Sequence, residues 1–306
     1  MPKIDKEMFR RIDVDRSQAE MIASPSINFW QDAWRRLKKN KLAMFGLGII
    51  ALLAFMALFG SQFVPYSYEQ QELANQNKGL TGEHWFGTDD LGRDMFARVW
   101  FGGRISLFIG LMAALIDLLI GVIYGGISGY VGGKADQIMM RIVDVLYGLP
   151  YLIVVILLMV VMEPGLLTII TALVATGWIG MARLVRGQIL QLKEMEFVLA
   201  ARTLGADIKR LLFRHLIPNT MGPIIVNMTF TVPVAIYVEA FLSFIGLGVQ
   251  SPLASWGTMV NDGVRVLLSG YWWRLAFPAF LISLTMFAFN IFGDGLRDAL
   301  DPKLRK

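Results

Sequence analysis

The sequence predicts an all-α membrane protein with six transmembrane helices and a short interfacial helix ahead of the first. Three observations carry that reading. Of 306 residues, 55% are apolar and only 17% are charged, against about 25% charged in ordinary soluble domains, and the mean hydropathy is +0.54. Six apolar stretches are long enough to cross a hydrocarbon core of about 30 Å as helices of about 20 residues, a form that satisfies every backbone amide inside lipid. The basic residues fall overwhelmingly on one of the two sides that those helices define.

Residues 1–41 are mostly polar. Within them Ile27, Trp30, Trp34 and Leu37 recur at helical spacing, which predicts an amphipathic helix lying along the membrane interface. The first span is expected over 42–64. Its polar lead and long apolar run mark it as a retained helix, not a cleaved signal peptide. A long polar segment, 65–103, follows. The membrane core is expected over 104–292, with spans at 105–130, 138–161, 166–182, 222–243 and 275–292, and a tail over 293–306. The third and fourth spans are separated only by Met162-Glu163-Pro164-Gly165, a tight hairpin. With the N-terminus in the cytoplasm, every Lys and Arg except Lys78, Arg93, Arg98, Arg104, Arg265 and Arg274 lies on the cytoplasmic side, so both termini are expected there.

The composition closes several classes of chemistry. Without cysteine there is no disulfide, thiolate nucleophile, iron–sulfur site or Cys-based zinc site. The two histidines, His84 and His215, are far apart, which excludes an HExxH helix, and no GxxxxGK[ST] phosphate loop occurs. No catalytic residues and no metal ligands are therefore assigned. The net charge of +5 sits largely beside spans, as in the run Arg35 to Lys41, where topology and lipid headgroups account for it without nucleic acid.

Two segments outside the bilayer, 65–103 and 246–272, are expected on the extracytoplasmic side. The first contains His84-Trp85-Phe86-Gly87-Thr88-Asp89-Asp90-Leu91-Gly92-Arg93-Asp94. Its glycines and aspartates suit tight turns in a self-packed cap or docking surface, and it lacks the ligand spacing of an EF-hand. The cytoplasmic loop 183–220 is long for a chain whose neighbouring helices join tightly. It reads as helix, glycine break, helix, and then a proline that ends it: Ala200 and Ala201 offer a smooth surface, Gly205 lets the chain turn, and Pro218 precedes the next span. Arg202, Asp207, Lys209 and Arg214 offer ion pairs to orient a partner gripping this helix. A helix merely resting on headgroups is the plainer reading of the same residues.

Ala200-Ala201, Gly205 and Pro218 resemble the cytoplasmic loop by which permeases of ATP-binding-cassette importers dock on their ATPase subunits. Glu196, Arg202, Ala206, Asp207, Arg214 and His215 complete that segment here. The usual glutamate is replaced by Leu199, and His215 stands where isoleucine is usual. Trp30 to Gly48, the His84-to-Asp94 block with Arg104-Ile105-Ser106-Leu107, Glu239 to Gly248, Ser255-Trp256-Gly257 and Gly293 to Pro302 are similar in order to the C-type permease subunit of oligopeptide and dipeptide importers. The resemblance implies a type I importer permease fold in a bacterial cell membrane. It also implies a second, homologous permease subunit, two cytoplasmic ATPases that hold the ATP and magnesium, an extracytoplasmic solute-binding protein and a peptide substrate. This chain would bind no cofactor of its own.

Polar residues within spans need partners or water. Asp117 lies mid-span and is followed at four-residue steps by Gly121, Gly125, Gly129 and Gly133, a ladder that admits a close helix. Asp117 either bonds between helices or lines a transport path. Asn227, Thr231 and Glu239 fall on one stripe of the fifth span and either line that path or bond one another. Pro223 and Pro233 suggest a kink there. The alternatives are an ion- or proton-coupled carrier, which would need inverted repeats and clustered buried charges that are not evident, and a permease for a non-peptide solute such as a nickel chelate.

Overall fold

The computed structural model describes residues 29–250 and 252–301. Among these residues the fold is helical, and the only strand-like feature is an isolated bridge between Thr88 and Asp94. The helices are α1 (Phe29–Lys39), α2 (Lys41–Phe59), α3 (Met95–Val131), α4 (Gly133–Tyr147), α5 (Tyr151–Met162), α6 (Leu166–Thr176), α7 (Trp178–Leu192), α8 (Glu196–Thr203), α9 (Ile217–Phe244), α10 (Trp256–Val266) and α11 (Trp273–Leu300). Five continuous or nearly continuous helical stretches are long and apolar enough to cross a membrane, and α4 with α5 makes a sixth if that bent pair is one span.

α1 is amphipathic, with Ala33 and Leu37 buried and Trp30 and Trp34 exposed. Ile27, also assigned to this stripe, lies outside the described residues, as do 1–28 generally and the end of the tail. Asn40 caps α2 by accepting from the Ala43 amide at 3.1 Å. α2 then packs closely on α11, because a methyl group at Gly46 would lie 2.8 Å from the Ala288 carbonyl oxygen. α3 starts ten residues before the expected span: Asp94 caps it through the Ala97 amide at 2.8 Å, and the helix runs for 37 residues. Its glycines admit α7 as expected. A methyl at Gly121 would meet Met181 at 2.5 Å, one at Gly125 would collide with the Ala182 carbonyl, and one at Gly129 would lie 2.9 Å from the Arg186 carbonyl oxygen. Gly133 is not part of that ladder. It opens α4 at φ +57° in open space, since the chain turns at Gly132.

The expected third span, 138–161, is not one straight helix. α4 and α5 meet at 82° across Gly148-Leu149-Pro150, because proline lacks an amide hydrogen and biases the preceding residue away from helical geometry. The hairpin at 163–165 is present, with the Thr168 hydroxyl donating to the Glu163 carbonyl at 2.6 Å. The fourth span runs on through Gly177 to Leu192, well past residue 182. A second correction concerns Pro218, which does not end a helix. Helical structure continues from Ile208 to Phe244, and Pro218 sits in the first turn of α9 behind a π-helical segment, Leu211–Leu216. The wider π turn absorbs the bond that proline cannot donate.

The bundle has two dissimilar ends. At one, residues 65–94, α10 and the start of α11 form a cap around buried Trp256 and Trp273. At the other, α8 and its flanking turns form an elbow on a cluster containing Val185, Ile189, Val198, Leu211 and Leu216.

Candidate functional site: elbow, cavity and cap

The elbow is built by two local devices. α8 has acidic Glu196 in its first turn and basic Arg202 in its last, both favourable to the helix dipole. It ends in a Schellman motif: the Ala206 amide donates to the Ala201 carbonyl at 3.1 Å and the Gly205 amide to the Arg202 carbonyl at 3.0 Å. Gly205 holds φ +85° with nothing near its missing side chain, so the backbone angle alone demands glycine there. Asp207 then caps the following turn by accepting from the Arg210 amide at 3.0 Å.

One face of the elbow is anchored and the other is left bare. Val198 is buried, and Ala201 and Ala206 pack partly beside it. Glu196, Phe197, Leu199, Ala200, Arg202 and Gly205 are exposed, and Leu204 is 88% exposed. Among the described residues Arg202, Asp207, Lys209 and Arg214 make no ion pair within the chain. Arg214 and Pro218 lie farther along, lining with Asp207 an open cleft of about 580 Å³, and His215 is half-buried between them.

Above the elbow a clamp ties α4 to α7. Arg186 grips Asp136 with two bonds of 2.6 Å, and Ser128 adds a third at 2.5 Å. Neither partner stood out in the sequence, because nothing in a hydropathy profile pairs residues fifty positions apart.

Farther along the bundle, Asp117, Asn227 and Thr231 share a cavity of about 260 Å³ between α3, α7 and α9. Asp117 is buried, and the Thr231 hydroxyl donates to the Asn227 backbone carbonyl at 3.3 Å. Gly177 and Gly180, which the sequence reading passed over, line the same space, and their i, i+3 spacing is the signal that was available. Asn227 and Phe230 also line a second cavity of about 490 Å³ that reaches Arg297 and Asp301 at the elbow end. Glu239 does not join this group. It is fully buried at the cap end, where Ser255, Ser243 and Ser106 donate to it at 2.6, 2.7 and 3.2 Å.

Several of the cap's charges pair within it. Asp89 accepts from the Leu91 and Arg93 amides and pairs with Arg93 at 2.7 Å and Arg98 at 3.3 Å. Asp94 bonds His84 Nδ1 at 2.8 Å, and Arg274 reaches Asn77 at 3.0 Å and Asp90 at 3.1 Å. The Trp256 indole donates to the Val99 carbonyl at 2.8 Å and Trp273 to that of Thr88 at 3.1 Å. Burial raises the Asp262 carboxyl above its ordinary range, against the pull of Arg98 and Arg274.

Residues 105–306 match the family described as binding-protein-dependent transport system inner membrane component, and residues 28–79 match the N-terminal transmembrane domain of oligopeptide transport permease C. The chain is 64% identical to the dipeptide transport system permease protein DppC of Bacillus subtilis over 94% of its length and 90% of that protein. It is 58% identical to the oligopeptide transport system permease protein OppC of the same organism over the whole of both chains. With OppC of Escherichia coli K12 it shares 42% over 91% of this chain and 92% of that one. The ion- or proton-coupled alternative finds no support among these relatives. A cap knit by internal ion pairs, a bare elbow and an all-helical core thus fall in a chain that belongs to the binding-protein-dependent transport system inner membrane components, the permease subunits of ATP-binding-cassette importers.

Proposed function

We propose that this chain is one transmembrane subunit of an ATP-driven importer of oligopeptides or dipeptides in a bacterial cell membrane, with both termini in the cytoplasm and no catalysis of its own. Two ATPase subunits, which bind the ATP and magnesium, grip the elbow from the cytoplasm. A second, homologous permease subunit completes a path that six helices cannot enclose alone. A solute-binding protein delivers the peptide to the cap.

The observation that carries this reading is the contrast within the elbow. Val198 and its neighbours fasten α8 to the bundle, while Leu199, Ala200 and Leu204 are presented without a partner. A helix held firmly from behind and bare in front transmits force when another surface closes on it. The coupling requires that the ATPases contact the elbow differently in their two states, because a partner with equal affinity for both pore states shifts nothing. The cavity lined by Asp117, Asn227 and Thr231 and the second cavity toward Arg297 support a peptide route along this subunit.

Reconstitution tests the proposal. Detergent extracts should yield this chain together with ATPase subunits, and the assembled complex should accumulate peptide only with ATP and binding protein. Peptide transport by this polypeptide alone in liposomes would overturn it.

A further inference from the structure

The mid-bundle cavity presents a charge without its counterpart. Asp117 is 6% exposed, and among the described residues no Lys or Arg pairs with it. The Thr231 hydroxyl lines the same cavity, and it donates to the Asn227 backbone carbonyl at 3.3 Å. No basic residue lines the cavity, whose remaining wall is apolar apart from Asn227. A buried carboxylate with no paired cation is poorly compensated.

The architecture keeps that carboxylate open instead of filling the space. A methyl group at Gly177 would lie 2.6 Å from Asp117 Oδ1, so any side chain there would displace it. Gly180 faces empty space, with nothing within 4 Å of where a side chain would begin. The polar side chains that line the cavity are a carboxylate, an amide and a hydroxyl, each carrying an oxygen able to accept. A primary ammonium carries one positive charge and three donors, which is the complement of that set.

We propose that Asp117, with Asn227 and Thr231, forms a transient site for the N-terminal ammonium group of the peptide as it passes through this subunit. The inference rests on the peptide-permease reading and assigns the chemical group recognised within it. The walls of about 260 Å³ suit the terminal residue of a peptide and not the whole of one. A single charge contact also holds cargo weakly enough to release it.

The absence of cysteine makes the test clean. Gly180→Cys places the chain's sole thiol on the cavity wall, where space exists for it. In the complete detergent-solubilised complex, its modification by a small thiosulfonate reagent is followed by mass spectrometry of this chain, so thiols elsewhere do not interfere. Tri-alanine at ten times its Kd should slow modification about tenfold. Propionyl-alanyl-alanine, which has the same shape but lacks the amine, should protect far less, and adding Asp117→Asn should abolish the difference between the two peptides, each rate being taken relative to that variant's own rate without peptide. Equal protection by both peptides would overturn ammonium recognition but leave the path intact. Equal protection by sodium or potassium chloride would reassign the site to a small cation. No protection, or no modification at all, would remove the cavity from the path, whereas ATP-driven uptake by the unmodified complex would still stand as the separate test of importer function.

Discussion

The cap and the elbow face opposite demands, and their side chains are spent differently. In the cap, Asp89 alone satisfies two backbone amides and two arginines, and the indoles of Trp256 and Trp273 donate to backbone carbonyls of distant segments. In the elbow, four charged side chains find no ion-pair partner within the chain among the described residues, and leucines stand in the open. Several of the cap's charges pair within the subunit, whereas the exposed face of the elbow is left unpaired within the chain among the described residues. Substitutions in the cap should therefore lower stability and spare coupling, and substitutions in the elbow should do the reverse.

The largest effect is expected from Gly205→Pro. Proline fixes φ near −65°, and the elbow needs +85° at that position. ATP-driven uptake should fall by a factor of about one hundred or more, while fluorescence-detected gel filtration shows the protein inserted and monodisperse. Gly205→Ala should retain part of the activity, because an alanine in this left-handed conformation costs only about 1–2 kcal/mol. Normal uptake by the proline variant would dissolve the contrast between the two ends.

Asp89→Ala should be the most damaging change in the cap. It leaves Arg93 and Arg98 without their carboxylate, and Arg98 is buried. Removing one member of a buried ion pair costs about 3–5 kcal/mol, so thermal unfolding in detergent should move down clearly while surviving molecules keep their ratio of peptide imported to ATP consumed. Glu239→Ala strands three serine hydroxyls in a buried site, and should cost about 1–3 kcal/mol by the same assay. Trp256→Phe removes the bond to the Val99 carbonyl and leaves most of the packing, for about 1 kcal/mol. A cap variant that kept its melting temperature but lost coupling would show that the cap transmits force.

Much of this architecture was legible because the bilayer imposes simple rules. Apolar length located the spans, the spacing of Gly121, Gly125 and Gly129 announced a close helix, and Gly205 marked the turn of the elbow. Local chemistry was harder to weigh where two rules met. Pro150 breaks its span because the chain bends there, whereas Pro218 is absorbed by a π turn and the helix goes on. A stretch apolar enough on average to read as one span hides the first difference, and proline by itself does not reveal the second. Glu239 illustrates a further boundary. Its position on a stripe with Asn227 and Thr231 was readable, but the hydroxyls that claim it include one 133 residues away, on another helix. Periodicity tells which face a residue occupies and says nothing of the neighbour that face meets. The Asp117 cavity was half legible: the acid and the amide stood out, and Gly177 and Gly180, which hold the space open, did not.

The proposed coupling requires the elbow to face the cytoplasm, where ATPase subunits would bind it. Leu204→Cys introduces a single thiol at the most exposed point of that turn, and a membrane-impermeant maleimide reports which side it occupies. Intact cells should leave this thiol unlabelled, and inside-out vesicles stripped of ATPase subunits should label it fully, with protection restored when those subunits are added back. Labelling in intact cells at the rate seen in the vesicles would place the elbow on the wrong side of the membrane and contradict the account.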